Sequence, residues 1–572
     1  MKLFSHSVFA SLVLASMVAS LPVERRQGKQ TRPQARPGRS GNRLRSGPKK
    51  APVMTTLNST RIDMNNGNSN SNSNSTASTE VVGAAFFITN EEDGNFIVSA
   101  NIGSDGQLTL RQALPAGGNG IHGDDGGVNN PDPLFSSGSI RVNAAQNLLA
   151  TVNSASNTIA LFSINPDDPG VLQPVGLPIG SGGEFPVSVA FNSKGDTLCA
   201  LNGGEINNVR CFSVDKQTGL APLAGTARSL NLQQTTPATG APGSVSHIIF
   251  SEDDKQLIIS AKGDNPDNNQ GNGQENNGNN NGQENGNNNG QQNNGNNGQQ
   301  NGQQNGNNNQ QNNGNGQQNG NNNQQNNGNN GQQNGGNNQQ NRQQNNANNK
   351  NRRQAENGGQ AGNGQAKVGF VNVFDVAADG SLSAQPKSLA LPQDGVAPFG
   401  MALIPKKNAV LVTDPAIGFS VFDLAGQKDA KAFAIDNQIA NGWATFSPKV
   451  GNFFLSDVGK GVVTEVSVDD NLAAKVVSQV DIGAGTGTED SDVATIGDKD
   501  FLYVLAGNAT AVEVLSLDGP GQAKRLQTLD IAGPAATAGL TVNGINLQGM
   551  AVFVKNAKAN QNNANQPIVF GN

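Results

Sequence analysis

Short apolar stretches separated by polar turns recur along most of the chain, and the fold is predicted from them. Residues 139–174 contain two short apolar runs joined by an Asn-containing turn, a third run that includes Phe-Ser, and a last run after an Asp-rich turn. A similar succession begins again at Pro186, Ser246, Phe399, Asn441 and Ser491. Units of four strands and roughly 40 to 55 residues, without helical periodicity, are typical of β-propeller blades.

The first unit, which begins at Gly83, has only three strands and lacks the innermost one. A matching strand lies near the other end of the chain, where residues 547–553 are similar to residues 398–404. We therefore predict an all-β, seven-bladed β-propeller whose C-terminal strand completes the N-terminal blade. Such closure covers sheet edges that would otherwise promote aggregation.

Asn, Gln and Gly dominate residues 264–366, which interrupt the fourth blade at a position where the preceding blade has a short hairpin loop. This composition predicts disorder, because it offers too little apolar surface to form a core. A long loop is tolerated, since the entropy of loop closure grows slowly with length. The propeller is therefore predicted to span residues 81–263 and 367–555. Self-association through the insert is the functional interpretation, and a tolerated repeat expansion is the alternative.

The ends of the chain predict export. Residues 1–20 have a positive charge, an apolar run and small residues before a predicted cleavage point, which is the pattern of a signal peptide. Residues 21–80 are predicted to be a disordered tail, first basic and then rich in Asn and Ser, with a processing site after Arg26. Residues 556–572 are predicted to be a disordered C-terminal tail.

The formal net charge of -6 conceals this basic tail. We interpret the tail as binding cell-wall polysaccharide or another acidic surface, with a solvated tail as the alternative. An extracellular protein is expected, with neither a nucleic-acid partner nor a membrane span.

Secretion changes how two residue types are interpreted. Asn58, Asn74 and Asn508 each begin an Asn-X-Ser/Thr motif and are predicted glycosylation sites. Cys199 and Cys211 flank a turn, so a cross-strand disulfide is predicted in an oxidising compartment. No metal site or cofactor is expected, since two thiols without nearby histidines are a poor ligand set.

Candidate binding residues come from aligning the innermost strands on the apolar residue before each turn. One ring position is then occupied by Ser139, Ser188, His247, Met401, Trp443, Val493 and Met550. This position is predicted to lie at the rim of the central channel. The only tryptophan and a histidine share it, although a structural role is the alternative for each.

Two further regions could contribute chemistry at the same rim. The connection from residue 117 to residue 138 contains His122 and is predicted to reach over the channel mouth. Glu184 precedes an innermost strand and could act as a general acid or base. Glu489, Asp490 and Asp492 are interpreted as solvated loop charges.

The repeat also resembles a known family. Residues 150–164 are similar to the YVTN-type strand–turn–strand signature of lactonase-like seven-bladed propellers, and residues 246–260 resemble their unit with a leading histidine. With its predicted signal peptide, the sequence is most similar to fungal secreted proteins described as 3-carboxymuconate cyclases. The resemblance implies metal-independent formation or opening of a lactone, with His247, Glu184 and Arg141 as catalytic candidates.

The same resemblance implies that a substrate with several carboxylates needs a cluster of arginines. Arg141 is on a predicted inner strand, whereas the other arginines of the blades fall on outer strands or loops. We therefore favour a secreted or cell-wall-associated glycoprotein that binds partners. The alternative is a lactone-acting enzyme that works at the propeller channel.

Overall fold

The computed structural model describes residues 61–64, 79–263 and 369–555. Several predicted features lie outside the described residues: the signal peptide at 1–20, the processing site after Arg26, nearly all of the tail at 21–80, Asn58, Asn74, the insert at 264–366 and the C-terminal tail at 556–572. Among the described residues, no helix has the length and apolar character needed to cross a membrane.

Seven antiparallel sheets form the body of the protein, so the predicted seven-bladed β-propeller is confirmed. Blade 1 consists of β1 (Ile62–Asp63), β2 (Val81–Ile88), β3 (Phe96–Gly103), β4 (Leu108–Pro115) and β31 (Gln548–Val554). Its strand order is β1-β4-β3-β2-β31, so the C-terminal strand is the innermost one and closes the ring as predicted. Lys555 extends this pairing, because its amide donates to the Val82 carbonyl at 2.7 Å.

Blades 2 and 3 each have a fourth strand that is broken into two short pieces. Blade 2 consists of β5 (Ile140–Asn143), β6 (Leu148–Asn153), β7 (Thr158–Ile164), β8 (Leu172–Pro174) and β9 (Ile179–Gly180). Blade 3 consists of β10 (Pro186–Phe191), β11 (Thr197–Asn202), β12 (Asn208–Asp215), β13 (Gly219–Pro222) and β14 (Arg228–Ser229). In both blades the two short pieces pair with different parts of the third strand.

Blades 4 to 7 each contain four described strands. Blade 4 consists of β15 (Val245–Phe250), β16 (Gln256–Ala261), β17 (Phe370–Asp375) and β18 (Lys387–Leu389). Blade 5 consists of β19 (Met401–Leu403), β20 (Ala409–Asp414), β21 (Gly418–Asp423) and β22 (Lys431–Phe433). Blade 6 consists of β23 (Asn441–Ser447), β24 (Asn452–Asp457), β25 (Val462–Val468) and β26 (Ala474–Asp481). Blade 7 consists of β27 (Thr488–Ile496), β28 (Lys499–Ala506), β29 (Ala511–Leu517) and β30 (Ala523–Asp530).

A short helix α1 (Ala532–Thr537) and a 3-10 turn (Gly544–Asn546) connect blade 7 to the closing strand. The predicted insert falls within one hairpin of blade 4. Strands β16 and β17 pair continuously from Gln256↔Asp375 to Ala261↔Phe370, so the residues between them leave the ladder intact.

Burial follows strand position within a blade. The first strands β10 and β15 are buried at every residue, whereas every residue of the outer strand β30 is exposed or partly buried. A continuous run of apolar and small residues is what a strand covered on both faces requires. The phenylalanines that recur along the repeat belong to the core and are at most 8 % exposed: Phe162, Phe191, Phe212, Phe250, Phe374, Phe422 and Phe446.

Candidate functional site

Residues 131–138, which we call the plug, are buried and bridge the first strands of several blades. The Ser137 amide donates to the Ser246 carbonyl of blade 4 at 3.0 Å. The Ser136 hydroxyl donates to the Val187 carbonyl of blade 3 at 2.9 Å. The Ser136 carbonyl accepts from the indole of Trp443 in blade 6 at 3.1 Å and from the Gln548 amide of the closing strand at 3.0 Å. The plug therefore joins four blades where their first strands meet.

Two buried charges accompany the plug. Lys262, which follows β16, is 4 % exposed, and its ammonium donates to the Phe135 carbonyl at 2.7 Å and to the Ser246 hydroxyl at 2.8 Å. The ammonium also lies 4.3 Å from the ring centre of Phe399, within range of a cation–π interaction. Burial lowers the pKa of Lys262 and raises the pKa of the plug residue Asp132, and each charge partly offsets the shift of the other.

Asp490 on β27 connects the plug to the closing strand. One carboxylate oxygen accepts from the Ser137 hydroxyl at 3.1 Å and the Gly138 amide at 3.2 Å. The other accepts from the Gln548 side chain at 2.8 Å and the Gly549 amide at 3.1 Å. Asp490 is 2 % exposed, and burial raises its pKa while Arg141 and these donors oppose the rise. Four donors around one buried carboxylate make it a structural junction between blades 7, 1 and 2.

Arg141 and His247 lie together, as the catalytic hypothesis required. An Arg141 guanidinium nitrogen, Nη2, lies 2.7 Å from His247 Nε2, and the Met401 amide donates to His247 Nδ1 at 3.0 Å. Both ring nitrogens therefore face donors, and a neutral imidazole accepts at only one of them. Burial, together with the positive charge of Arg141, lowers the pKa of His247 well below its usual value. This shift favours the neutral form of the ring.

Asp490 and Asp492 supply the negative charge that faces Arg141. Burial lowers the pKa of the Arg141 guanidinium, and the two aspartates oppose that shift. Burial likewise raises the pKa of Asp492 to about 6, against the opposing charge of Arg141. Asp492 accepts from the Val493 and Val552 amides at 2.8 and 3.0 Å. This cluster of charges is held by backbone groups of two neighbouring blades.

The interpretation of Glu489, Asp490 and Asp492 as solvated loop charges is wrong. All three lie on β27 and are at most 7 % exposed. Their pattern resembles a loop, because three acidic residues interrupt the apolar run expected of a first strand. Only the folded ring reveals the partners of Asp490 and Asp492, since the plug and the closing strand come from distant parts of the sequence. Burial raises the pKa of Glu489 well above its usual value, and the charges of Asp132 and Asp490 add to the rise.

Glu184 does not join the Arg141–His247 pair. Its side chain is partly exposed and accepts a hydrogen bond from the Thr236 hydroxyl at 2.6 Å, beside the turn that follows β11. His122 also lies near the surface, where its ring nitrogens are 2.7 Å from the Gly123 carbonyl and 2.8 Å from the Asn130 carbonyl. The long connection does reach the centre of the ring, but it does so with residues 131–138 and not with His122.

The residues predicted to share one ring position are buried and not open to solvent. Ser139, Ser188, His247, Met401, Trp443, Val493 and Met550 are at most 3 % exposed. The alignment is also shifted by one residue in blade 5, where Leu403 pairs with Val410 as Phe250 pairs with Leu257. Gly400 therefore corresponds to His247, and Met401 packs in the apolar cluster between blades 4 and 5. The sequence allowed both alignments, because Leu403 and Ile404 are both apolar and either could be the residue before the turn.

The disulfide prediction is confirmed. Cys199 on β11 and Cys211 on β12 are direct cross-strand partners, and both are at most 1 % exposed. The bond lies inside blade 3 and joins its second and third strands, so it is structural. Asn508 is exposed in the turn between β28 and β29.

The fold and the repeat define a class of protein. Residues 74–236 match the family model described as "Lactonase, 7-bladed beta-propeller". The chain is a seven-bladed β-propeller, and the part that is similar to this family includes Arg141 and the plug. No curated protein matches the sequence.

Several solved structures are similar to the chain at low sequence identity. A periplasmic gluconolactonase of Pseudomonas aeruginosa is 14% identical with a TM-score of 0.46, covering 79% of this chain and 97% of that chain. A candidate 6-phosphogluconolactonase of Bacteroides uniformis is 12% identical with a TM-score of 0.47, covering 79% and 98%. Another, from Bacteroides fragilis, is 12% identical with a TM-score of 0.43, covering 80% and 98%.

Proposed function

We propose that the chain is a secreted interaction protein that uses a lactonase-like propeller as a binding scaffold and carries out no catalysis at the channel. The observation that supports this most strongly is the plug. The plug amides of Leu134, Phe135, Ser136, Ser137 and Gly138 all donate hydrogen bonds to protein acceptors. A substrate would have to break this set of bonds before it reached the residues beneath.

The chemistry of the buried cluster supports the same conclusion. Asp490 and Asp492 are engaged by backbone and side-chain donors, and Arg141 is opposed by their charge. Arg141 is the only arginine on a first strand of the described residues. A substrate with several carboxylates would therefore meet one guanidinium that two aspartates already face, which is a poor anion site.

The second candidate function is a lactone-acting enzyme, such as a 3-carboxymuconate cyclase-like protein or a lactonase. One specific observation favours it: the His247 imidazole lies 2.7 Å from the guanidinium of Arg141, and Arg141 belongs to the residues that match the lactonase family model. In this scheme His247 would act as a base and Arg141 would stabilise an oxyanion, after the plug has moved. Glu184 would have no direct part, since its side chain faces Thr236.

Turnover assays on the purified full chain separate the two functions. We expect no hydrolysis of five- or six-membered sugar lactones and no cyclisation of carboxymuconate above the uncatalysed rate. His247→Gln and Arg141→Lys test the buried pair, and Glu184→Gln is the matched control outside it. Turnover by the wild type that falls at least 100-fold in His247→Gln but not in Glu184→Gln would refute the non-catalytic proposal. Far-UV circular dichroism establishes that each variant is folded.

Secretion and surface attachment are part of this proposal and have their own tests. Deleting residues 1–20 should keep the protein inside the producing cell. Deleting residues 25–61 should reduce the fraction retained on salt-washed cells, because the basic tail is the proposed contact with acidic polysaccharide. Unchanged retention would remove the tail from this role. The mobility shift after endoglycosidase treatment should be smaller in Asn508→Gln than in the wild type if the exposed turn carries a glycan, since Asn58 and Asn74 are the other predicted sites.

The Asn/Gln/Gly-rich insert is proposed to support weak self-association. Sedimentation of the full chain and of a chain lacking residues 264–366 would test this. If the two chains sediment as the same species over a hundredfold range of concentration, the insert does not cause self-association.

A further inference from the structure

Glu489 on β27 is buried without a hydrogen-bond partner. It is 0 % exposed, and neither of its carboxylate oxygens accepts a hydrogen bond from the part of the chain that the structure describes. The carboxylate is tightly packed, because a Cβ added at Gly507 would overlap Glu489 Oε1 and would lie 3.0 Å from Pro131 of the plug. Residues 507–510 and 538–547, which meet at the same place, contain no ionisable side chain. A buried carboxyl group without donors favours its protonated form, since burial disfavours the charge.

The charged groups that face Glu489 make its ionisation still less favourable. Burial raises the pKa of Glu489, the charges of Asp132 and Asp490 add to the rise, and the Asp132 backbone amide opposes it. The two buried bases act on these aspartates, since Lys262 opposes the shift of Asp132 and Arg141 opposes that of Asp490. Ionisation of Glu489 therefore adds a negative charge beside two other acidic groups. One of them, Asp132, belongs to the plug, so the repulsion acts directly on the plug.

The plug is held in a conformation that opposes its own burial. Asp132 has a φ of 73° and Phe135 has a φ of 53°, so two residues with side chains occupy the left-handed region, which costs free energy. The chain immediately before the plug, residues 126–130, is exposed. The plug is therefore the buried and strained end of a surface loop. Such a segment can leave its site by local opening while the blades stay folded.

We propose that the plug is a pH-sensitive lid, which is kept closed by the proton on Glu489 and is released when this carboxyl group ionises beside Asp132 and Asp490. Release uncovers Arg141 and His247 at the centre of the ring. The inference goes beyond the interaction function proposed above, because it concerns access to the channel. At neutral pH the closed form remains the major one, since the hydrogen bonds of the plug oppose release.

The direction of the effect follows from the protons that each state holds. In the open state Glu489 reaches solvent and titrates near the ordinary value for a glutamate, 4.5, whereas the closed state keeps its proton to a higher pH. A rise in pH therefore favours release, and a fall in pH favours closure. Above the ordinary value and below the raised one, this single proton increases the opening constant about tenfold for each pH unit.

Hydrogen exchange of the full chain, measured by mass spectrometry between about pH 5 and pH 8, tests the lid. The opening constant of residues 134–138 is obtained by dividing the observed rate by the intrinsic rate of the same sequence at each pH. Asp132, Asp490 and Lys262 also titrate on opening, so the contribution of Glu489 is the difference between the wild type and Glu489→Gln. We expect the ratio of their opening constants to rise about tenfold for each pH unit above pH 5.

Two controls separate the lid from other effects of pH. Glu184→Gln removes a partly exposed carboxylate on the surface, where it accepts from Thr236, and this variant should keep the pH dependence of the wild type. The amides of β10 should stay protected over the same range, because release of the plug leaves the blades folded. Parallel pH profiles of the wild type and Glu489→Gln would overturn the proposal. Simultaneous loss of protection in the plug and β10 would also overturn it, since it would show global unfolding.

A second variant and a second measurement cover a failure of Glu489→Gln to fold. Glu489→Met keeps an unbranched side chain of similar length and removes the titrating group. Quenching of Trp443 emission by acrylamide reports on the plug, because the indole donates to the Ser136 carbonyl. Quenching should increase with pH in the wild type and stay constant in Glu489→Met; equal increases in both would overturn the lid. Lactone turnover that depended on His247 would refute the non-catalytic function and would leave the lid standing.

Discussion

The clearest quantitative prediction concerns Asp490, the carboxylate that joins the plug to the closing strand. Asp490→Ala removes the acceptor for two fixed backbone amides, those of Gly138 and Gly549, both buried in the wild type. Leaving a buried amide without a partner costs about 2 kcal/mol, so the pair costs about 4 kcal/mol. Relief of the buried charge offsets part of this, because burial already raises the pKa of Asp490. We expect a net loss of about 3 kcal/mol in the free energy of unfolding.

Urea titration at pH 7, followed by the emission of the single tryptophan, measures this loss. Trp443 donates its indole proton to the Ser136 carbonyl, so its emission also reports on the plug. The matched control is Asp215→Ala, because Asp215 is exposed and accepts hydrogen bonds only from its own turn, at Gln217 and Thr218. The control should change the free energy of unfolding by less than about 1 kcal/mol. The proposed junction would be refuted if Asp490→Ala and the control had equal effects.

Three further predictions follow from the ring and its buried groups. Deleting residues 547–555 removes the inner strand of blade 1 and leaves β2 as an open edge, so this variant should aggregate and lose cooperative unfolding. Deleting residues 556–572 should leave the midpoint of urea unfolding unchanged. Ring closure by the C-terminal strand would be contradicted if the two deletions behaved alike. Replacing both Cys199 and Cys211 with alanine should lower the free energy of unfolding by about 3 kcal/mol, measured by urea titration, and an unchanged midpoint would contradict this. Burial raises the pKa of Asp414 from 3.8 to about 6, so the native state keeps a proton that the unfolded chain loses, and stability falls as pH rises between these values. Asp414 contributes about 3 kcal/mol to this fall, so the fall should be smaller by that amount in Asp414→Asn, which keeps the contributions of Asp132 and Asp492. Identical pH profiles of the wild type and the variant in urea titrations would contradict the shift.

Sequence periodicity predicted the features that depend on local pattern. Each blade repeats the same order of strands and turns, so the number of blades follows from internal similarity. The match of residues 547–553 to residues 398–404 predicted ring closure, because both have the apolar and glycine pattern of a first strand. The turn between Cys199 and Cys211 likewise predicted that two neighbouring strands would bring the sulfurs together. These are contacts within one repeat or between equivalent parts of two repeats.

Contacts between non-equivalent parts of the chain were not predictable in the same way. The plug contains two prolines and two serines and has the composition of a loop, and only the completed ring shows that its amides are bonded and buried. Strand β1 pairs with β4 through Ile62 and Asp63, and two residues are too short a segment to show any periodicity. Arg141 and His247 belong to different blades, and the distance between them depends on how the first strands converge.

Protection of the plug amides from hydrogen exchange tests the central claim most directly. The account predicts that the amides of residues 134–138 exchange as slowly as those of the first strands β10 and β15, because all five are hydrogen-bonded and buried. Slow exchange at these positions would mean that the buried cluster of Arg141 and His247 remains closed to solutes in the native protein. Exchange of the plug amides within seconds, while the amides of β10 and β15 stay protected, would contradict a channel closed by the plug. That result would favour the channel as a catalytic site.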